Sequence, residues 1–422
     1  MHEESIHGAL WGQRYRVIVT TDIGGSDPDD FQSMVHYLLY SDLFDTEGLI
    51  SSPWGAGRTK DIKTVIDQYE KDYPNLKTWS THYPAPDELR SITKQGAIDF
   101  APWRGWSAPT EASNWIIQCA RKADDRPLYL LMWGLLEDLA QALHDAPDIL
   151  PKLRVNYIGG PNKKWGPNAY AYIRHHFPDL WMIEDNSTYR GWFNGGNMVT
   201  PWGNNTFVST YAAGHGALGD YFTMHLGGTI KMGDTPTVAW LLNGTPERPE
   251  NESWGGQFEQ VKDMPEAVLQ HPITIDKPIE VFSVAELVFH GPIIQETDQP
   301  VFAFETKNQT FQGYYTGQGQ YKIRFVPKEV GDFAFCTHSE FTGIDGLTGT
   351  IRVLPEQPMT RRNKAGNLSH WWSDCLDYSL AEGPHCGAKT VNRWREAFLR
   401  SFAERFARCA SPRHEEMNTK KE

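Results

Sequence analysis

The sequence predicts an α/β fold, a mainly parallel sheet with helices on both faces, joined to a small all-β sandwich. Three observations point there. Short apolar runs alternate with amphipathic helical stretches up to about residue 274, as buried parallel strands and their crossover helices do. From about residue 275 the texture changes to short, often alternating runs separated by Gly, Asn and Asp turns, the pattern of antiparallel β-structure. The length of 422 residues leaves room for two or three such units.

The elements follow in order. Val17-Ile18-Val19 is the first apolar run and ends in Thr20-Thr21-Asp22. A Gly/Ser/Asp loop and a helical stretch from about Asp29 to Tyr40 come next. Gly48-Leu49-Ile50, Leu128 to Met132, Val155 to Ile158 and Trp181-Met182-Ile183 are further runs, the last two ending at Gly159-Gly160 and at Glu184. Helical patterns at Asp61 to Tyr69, Glu111 to Ala120 and Leu135 to His144 lie between them. Residues 1–274 are therefore read as the α/β domain. Residues 275–356 carry the β-type runs around Ile279, Val301, Tyr321, Phe333 and Thr350 and are read as about one Ig-like module. Trp394, Phe398, Phe402 and Phe406 recur every four residues, so residues 357–411 are expected to be a helical segment. A single helix cannot bury an aromatic face alone; the segment should pack back on the α/β domain, making the β module an insertion. Residues 412–422 are charged and expected to be disordered.

Composition excludes several partners. A net charge of −13 and a pI near 5.6 argue against nucleic acid, whose phosphates need clustered Lys and Arg. No uncharged apolar run approaches the ~20 residues of a membrane span. Met1 to Gly12 lacks the apolar core of a signal peptide. Localisation stays open: secreted or periplasmic if a leader has been removed, cytoplasmic otherwise. Five cysteines imply no disulfide framework. Core and interface packing accounts for most of the sixteen Trp, but exposed indole faces can also stack on pyranose rings.

The densest chemistry lies in Thr21-Asp22-Ile23-Gly24-Gly25-Ser26-Asp27-Pro28-Asp29-Asp30, where four carboxylates crowd a strand-to-helix turn. Like charges so close repel unless a cation or protons neutralise them. A hard cation with oxygen ligands, Ca²⁺ or Mg²⁺, is the economical answer. Helix capping is the plainer alternative for Asp27 and Asp29, but it does not explain Asp22. Asp22, Trp133, Gly160 and Glu184 each follow an apolar run, and in a parallel sheet such positions gather at the carboxyl edge, where ligands bind.

On these residues the chain resembles the nucleoside hydrolase superfamily, closest to its nucleoside hydrolase-like proteins described as cellulose-binding. The Asp-rich run resembles the family's N-terminal fingerprint, with a longer loop at Ser26-Asp27-Pro28. The segment Leu130 to Asp138 resembles the strand end whose backbone carbonyl, here that of Trp133, joins the calcium. Ile158-Gly159-Gly160 with Asn162 and Asn168, then Glu184-Asp185-Asn186, resembles the elements that grip the sugar. Gly233-Asp234-Thr235-Pro236 resembles a His-Asp-Pro stretch whose Asp is a metal ligand; Gly233 stands where purine-preferring relatives carry a His that protonates the leaving base. Gln318 to Phe325 and Glu329 to Phe333 resemble the Ig-like domain beside some glycoside hydrolases, and Asn392 to Phe398 the C-terminal helix of the cellulose-binding group.

The resemblance implies a Ca²⁺-dependent hydrolase of a glycosidic bond. Asp22, Asp30, Asp234 and the Trp133 carbonyl would hold the cation, with Asp22 also the general base. Asp29, Asn162, Asn168, Glu184 and Asn186 would hold sugar hydroxyls. Asp27, Glu184 and His215 are candidates for the leaving-group acid, while His175-His176 reads as packing or surface. The expected substrate is an oligosaccharide or plant-wall glycoside. The alternatives are a non-catalytic carbohydrate-binding protein and a true ribonucleoside hydrolase. A homodimer is expected by analogy only.

Overall fold

The computed structural model describes residues 14–25, 27–53, 58–358 and 366–412. The expected tail beyond residue 412 and the N-terminal segment considered as a leader lie outside the described residues. Seven strands come first: β1 (Tyr15–Thr21), β2 (Phe44–Ser51), β3 (Thr93–Gln95), β4 (Leu128–Met132), β5 (Leu153–Ile158), β6 (Met182–Asp185) and β7 (Phe258–Val261). The β-type region supplies β8 (Glu266–Gln270), β9 (Ile279–Glu280), β10 (Val284–His290), β11 (Pro300–Thr306), β12 (Gln309–Tyr315), β13 (Gln320–Phe325), β14 (Gly331–His338) and β15 (Thr348–Leu354). The last strand is β16 (Trp371–Asp374).

Among the described residues the first sheet has eight strands in the order β3-β2-β1-β4-β5-β6-β16-β7. Its pairings are parallel except that β7 runs antiparallel to β16. Side chains alternate across a strand, and the partition of the core follows that period. Val17 and Val19 join one apolar cluster and Ile18 the other; Leu49 and Ile50 divide in the same way, as do Leu131 and Leu130. Both faces are thus covered by helices, which is why these strands are apolar throughout.

The chain returns to this sheet after the all-β unit, since β16 lies between β6 and β7. Residues 357–411, expected to be helical, therefore also contribute a strand. Four residues are too few for a periodic signal, yet Trp371 is fully buried there. The helix Arg395–Ala410 then sets Phe398, Leu399, Phe402 and Phe406 into the core that holds Ile62, Val65 and Tyr69 of the Thr59–Trp79 helix.

The second sheet also has eight strands, ordered β8-β10-β13-β12-β11-β14-β15-β9. Its central pairings are antiparallel, and β8 and β9 join its ends in parallel. Phe289, Phe302, Phe304, Phe325 and Phe335 form its core. The two units touch through specific contacts. Arg324 of β13 donates to the Trp103 carbonyl (2.8 Å) and to Asn168 Oδ1 (2.9 Å). Trp165 stacks on Phe311 with ring centres 5.3 Å apart.

Candidate functional site

The carboxyl ends of β1, β4 and β5 open onto a cavity of about 350 Å³. Asp22, Asp29, Asp30, Trp133, Asn162 and Asp234 line it together with Asp27. Four well-separated segments thus converge, brought there by local geometry. β1 stops at Thr21, and a turn closes behind it with Gly25 N–H donating to the Asp22 carbonyl (2.9 Å). Gly24 sits at φ +83°, where a Cβ would collide with the Asp61 carboxylate. The helix Asp29–Leu39 starts immediately, with Asp29 and Asp30 in its first turn and no side-chain cap. Trp133 continues β4 by donating its N–H to the Thr20 carbonyl (2.7 Å). Gly134 lies against Asp22, where a Cβ would come within 2.9 Å of the Asp22 nitrogen.

Each carboxylate has a distinct setting. Asp30 accepts from the Thr21 hydroxyl. Asp29 accepts from Gly233 N–H (3.0 Å) and lies 3.8 Å from Lys231, which also pairs with Asp27. Asp234 opens the helix Thr235–Leu242, but its side chain makes no capping bond, and its Oδ2 is buried without a hydrogen-bond partner. Asp234 therefore does not serve that helix as a cap. Gly233 has no room for a side chain, because a Cβ would sit 2.7 Å from Asp29 Oδ2.

Burial, and then the charge of Asp29, pushes Asp22 up to about 7. Asp29 rises to about 6 by burial and then by the charge of Asp27. Asp30 and Asp234 are driven well above the usual carboxylate range, by burial first and then by Asp234 and Asp29 respectively. Asp27 goes the other way: burial would raise it, but the hydrogen bond with Asp29 and the contact with Lys231 outweigh that. The cluster is electrostatically unsatisfied as it stands.

The donors are those of a hard cation: the carboxylates of Asp22, Asp30 and Asp234, the orphaned Asp234 Oδ2, and the Trp133 carbonyl. Among the described residues, no three His, Cys, Asp or Glu side chains are placed to grip one ion as they stand. Oxygen donors of this kind are those Ca²⁺ takes.

Three residues expected at the sugar lie elsewhere. Glu184 is fully buried and held by Lys163 (2.5 Å), Tyr170 (2.7 Å), Asn186 (2.9 Å) and Trp371 (3.2 Å). Burial would raise its carboxyl, but Lys163 and the hydrogen bonds hold it down. Asn186, also fully buried, serves that network. Asn168 is spent on the Ala101 carbonyl (3.1 Å) and on Arg324. Sequence places these residues at strand and helix ends but cannot reveal the partners that absorb them. Asn162 is at the cavity, where its amide donates to the Trp133 carbonyl (2.7 Å) and the Ile158 carbonyl (2.9 Å). His215 bonds the Ala213 carbonyl (3.1 Å) and does not line the cavity; His175 faces Glu266 (3.1 Å).

Other wall residues carried no sequence signal. Tyr189, Arg190 and Phe193 come from the loop after β6, Lys164 and Trp165 from the helix Gly159–Trp165, and Gln309 and Lys328 from the all-β unit. Only the docking of the two units brings the last pair in. Lys231, three residues before Asp234, was the one recoverable by proximity.

A parallel α/β sheet with an acid-lined pocket at its carboxyl edge defines an α/β protein of nucleoside hydrolase-like architecture. The chain belongs to the family described as cellulose-binding Sde182, nucleoside hydrolase-like domain, which matches residues 16–258. Residues 278–340 match a domain of unknown function, DUF5060. Among solved structures, a nucleoside hydrolase-related protein from Saccharophagus degradans associated with carbohydrate metabolism is similar at 19% identity, over 82% of this chain and 100% of that one, with a TM-score of 0.49. The inosine-uridine preferring nucleoside hydrolase of Bacillus anthracis is similar at 16% identity, over 59% and 85%, with a TM-score of 0.37. A putative glycoside hydrolase from Bacteroides vulgatus shares 24% identity over 22% of this chain and 17% of that one, with a TM-score of 0.16. No curated protein matches the chain.

Proposed function

We propose that the protein is a Ca²⁺-dependent glycoside hydrolase acting on an oligosaccharide or plant-wall glycoside. One observation carries the reading: Asp22, Asp30, Asp234 and Trp133, from three separate stretches of the chain, line one cavity, and Lys231, the cation that reaches its acidic cluster, is committed to Asp27 and Asp29. The family's name and the carbohydrate association of the Saccharophagus protein agree with a sugar ligand.

Asp22, Asp30, Asp234 and the Trp133 carbonyl would hold the ion. Bound there, Ca²⁺ would supply positive charge for two sugar hydroxyls and for a more acidic water. Asp22 keeps a partial opening to the cavity and takes the water's proton as general base. Asp29, anchored by Gly233 N–H, accepts from a sugar hydroxyl. Asn162 fixes the Trp133 carbonyl in place. One displacement, in which the water oxygen bonds to the anomeric carbon as the glycosidic C–O bond breaks and the departing oxygen takes a proton from solvent, inverts the anomeric centre, which differs from the paired-carboxylate arrangement of most glycosidases. Proton NMR of the first-formed product tests this: an inverted anomer is expected, and a retained one rejects the single displacement.

A second reading, carbohydrate binding without catalysis, is favoured by one feature. Glu184 and Asn186, the residues that the resemblance assigns to the sugar, are locked in the core. Asp22→Asn separates the readings. A hydrolase loses turnover and keeps binding, whereas a binder turns over no glycoside at all.

A further inference from the structure

The cavity has two electrostatically different ends. Its wall also carries Lys164, Lys328 and Arg190, of which Lys164 and Lys328 lie close enough to repel one another. None of the three makes an ion pair among the described residues. Lys164 is the unusual one, because it is only 6% exposed. A buried ammonium ordinarily needs a carboxylate. Here its Nζ bonds the side-chain carbonyl of Gln309 and lies 4.5 Å from the Trp165 ring centre. The charges acting on it are those of Lys328 and Glu329, not those of the aspartates. Glu329 itself is paired with Lys307 (2.9 Å). Burial and Lys328 lower Lys164 to about 8, so this end lacks negative charge as plainly as the other end lacks positive charge. With its oxygen taken by Lys164, the Gln309 amide offers its nitrogen as a further donor.

We propose that this basic end is a subsite for the acidic substituent of an anionic sugar, a uronic carboxylate or a sulfate ester, built jointly by Lys164 of the α/β domain and by Gln309 and Lys328 of the all-β unit. The proposal rests on the glycoside reading of the same cavity and narrows its substrate class. An acidic group there would complete the pairing of a buried lysine, while the ring hydroxyls face the aspartates. It also gives the all-β unit a role in selecting the ligand.

The test is calorimetric titration of the full chain, in Ca²⁺, with matched methyl glycosides: glucoside, glucuronide and glucose 6-sulfate, and the corresponding galactosides. The acidic members should bind at least about tenfold more tightly, the scale of one charge-assisted hydrogen bond. Lys164→Met and Lys328→Ala should each erase the preference. Lys328 is exposed, so its substitution does not threaten the fold, and the tighter acidic sugar identifies carboxylate or sulfate. Equal binding of neutral and acidic members, or a preference that survives both substitutions, overturns the subsite and leaves the glycoside reading intact. Acetate or sulfate alone binding as tightly as the acidic sugar would keep the anion site and remove the sugar. Binding of none overturns both.

Discussion

Two groups of buried carboxylates sit near the carboxyl edge of the same sheet, and they differ in what surrounds them. Glu184 has an ammonium, a phenol, an amide and an indole around it, and its carboxyl is held below the ordinary range. Asp22, Asp29, Asp30 and Asp234 have each other, one hydroxyl, one backbone N–H and the edge of Lys231, and all four are raised. A buried charge that is fully paired belongs to the fold; a cluster left unpaired is a place prepared for something else. The same contrast separates Lys163, paired with Glu184, from its chain neighbour Lys164, which has no carboxylate.

That contrast can be broken most forcefully by catalysis. Asp22→Asn should lower turnover by about a hundredfold to ten-thousandfold, the usual worth of a general base, while chemical denaturation shows the metal-free protein no less stable. A variant that hydrolyses normally would remove Asp22 from the chemistry. Next in size, Lys163→Met leaves Glu184 charged and unpaired, and should cost about 3–5 kcal/mol of stability in urea unfolding. A loss below 1 kcal/mol, on the scale of an exposed pair, would mean that the Glu184 network is not structural.

The pH dependence sharpens the comparison further. Asp22 and Asp29 bind protons more tightly folded than unfolded, at about 7 and about 6 against about 3.9 for an exposed aspartate. The native state therefore holds more protons across that window, and stability of the metal-free protein should fall as pH rises from about 4 to about 7. Melting temperatures measured in EDTA over that range check the sign, and saturating Ca²⁺ should flatten the slope. Glu184, shifted the other way, adds stability above its unfolded value and loses it only in acid. The smallest effect belongs to Asn168→Ala. It removes the contacts to Ala101 and Arg324 for about 1 kcal/mol and should leave sugar affinity unchanged in titration.

Much of this architecture was readable in the residues, for reasons that also mark where reading stops. Val17 to Val19 and Leu128 to Met132 announce buried strands because both faces of each are covered. The Asp-rich run is conspicuous because four carboxylates crowd one strand-to-helix turn, where like charges repel. β3 and β16 escaped because three and four residues carry no period. Glu184 was misplaced because a strand-end acid looks the same whether a lysine neutralises it or not. Lys164, Gln309 and Lys328 meet only when two units dock, and neither segment records the other.

On the proposed function, the aspartate cluster is unpaired because it holds a cation. Calorimetric titration of EDTA-treated protein with Ca²⁺, beside Asp30→Ala, tests it directly. Binding at one site per chain is expected in the wild type, and its loss in the variant. Absence of binding in the wild type, or equal binding by Asp30→Ala, would contradict it.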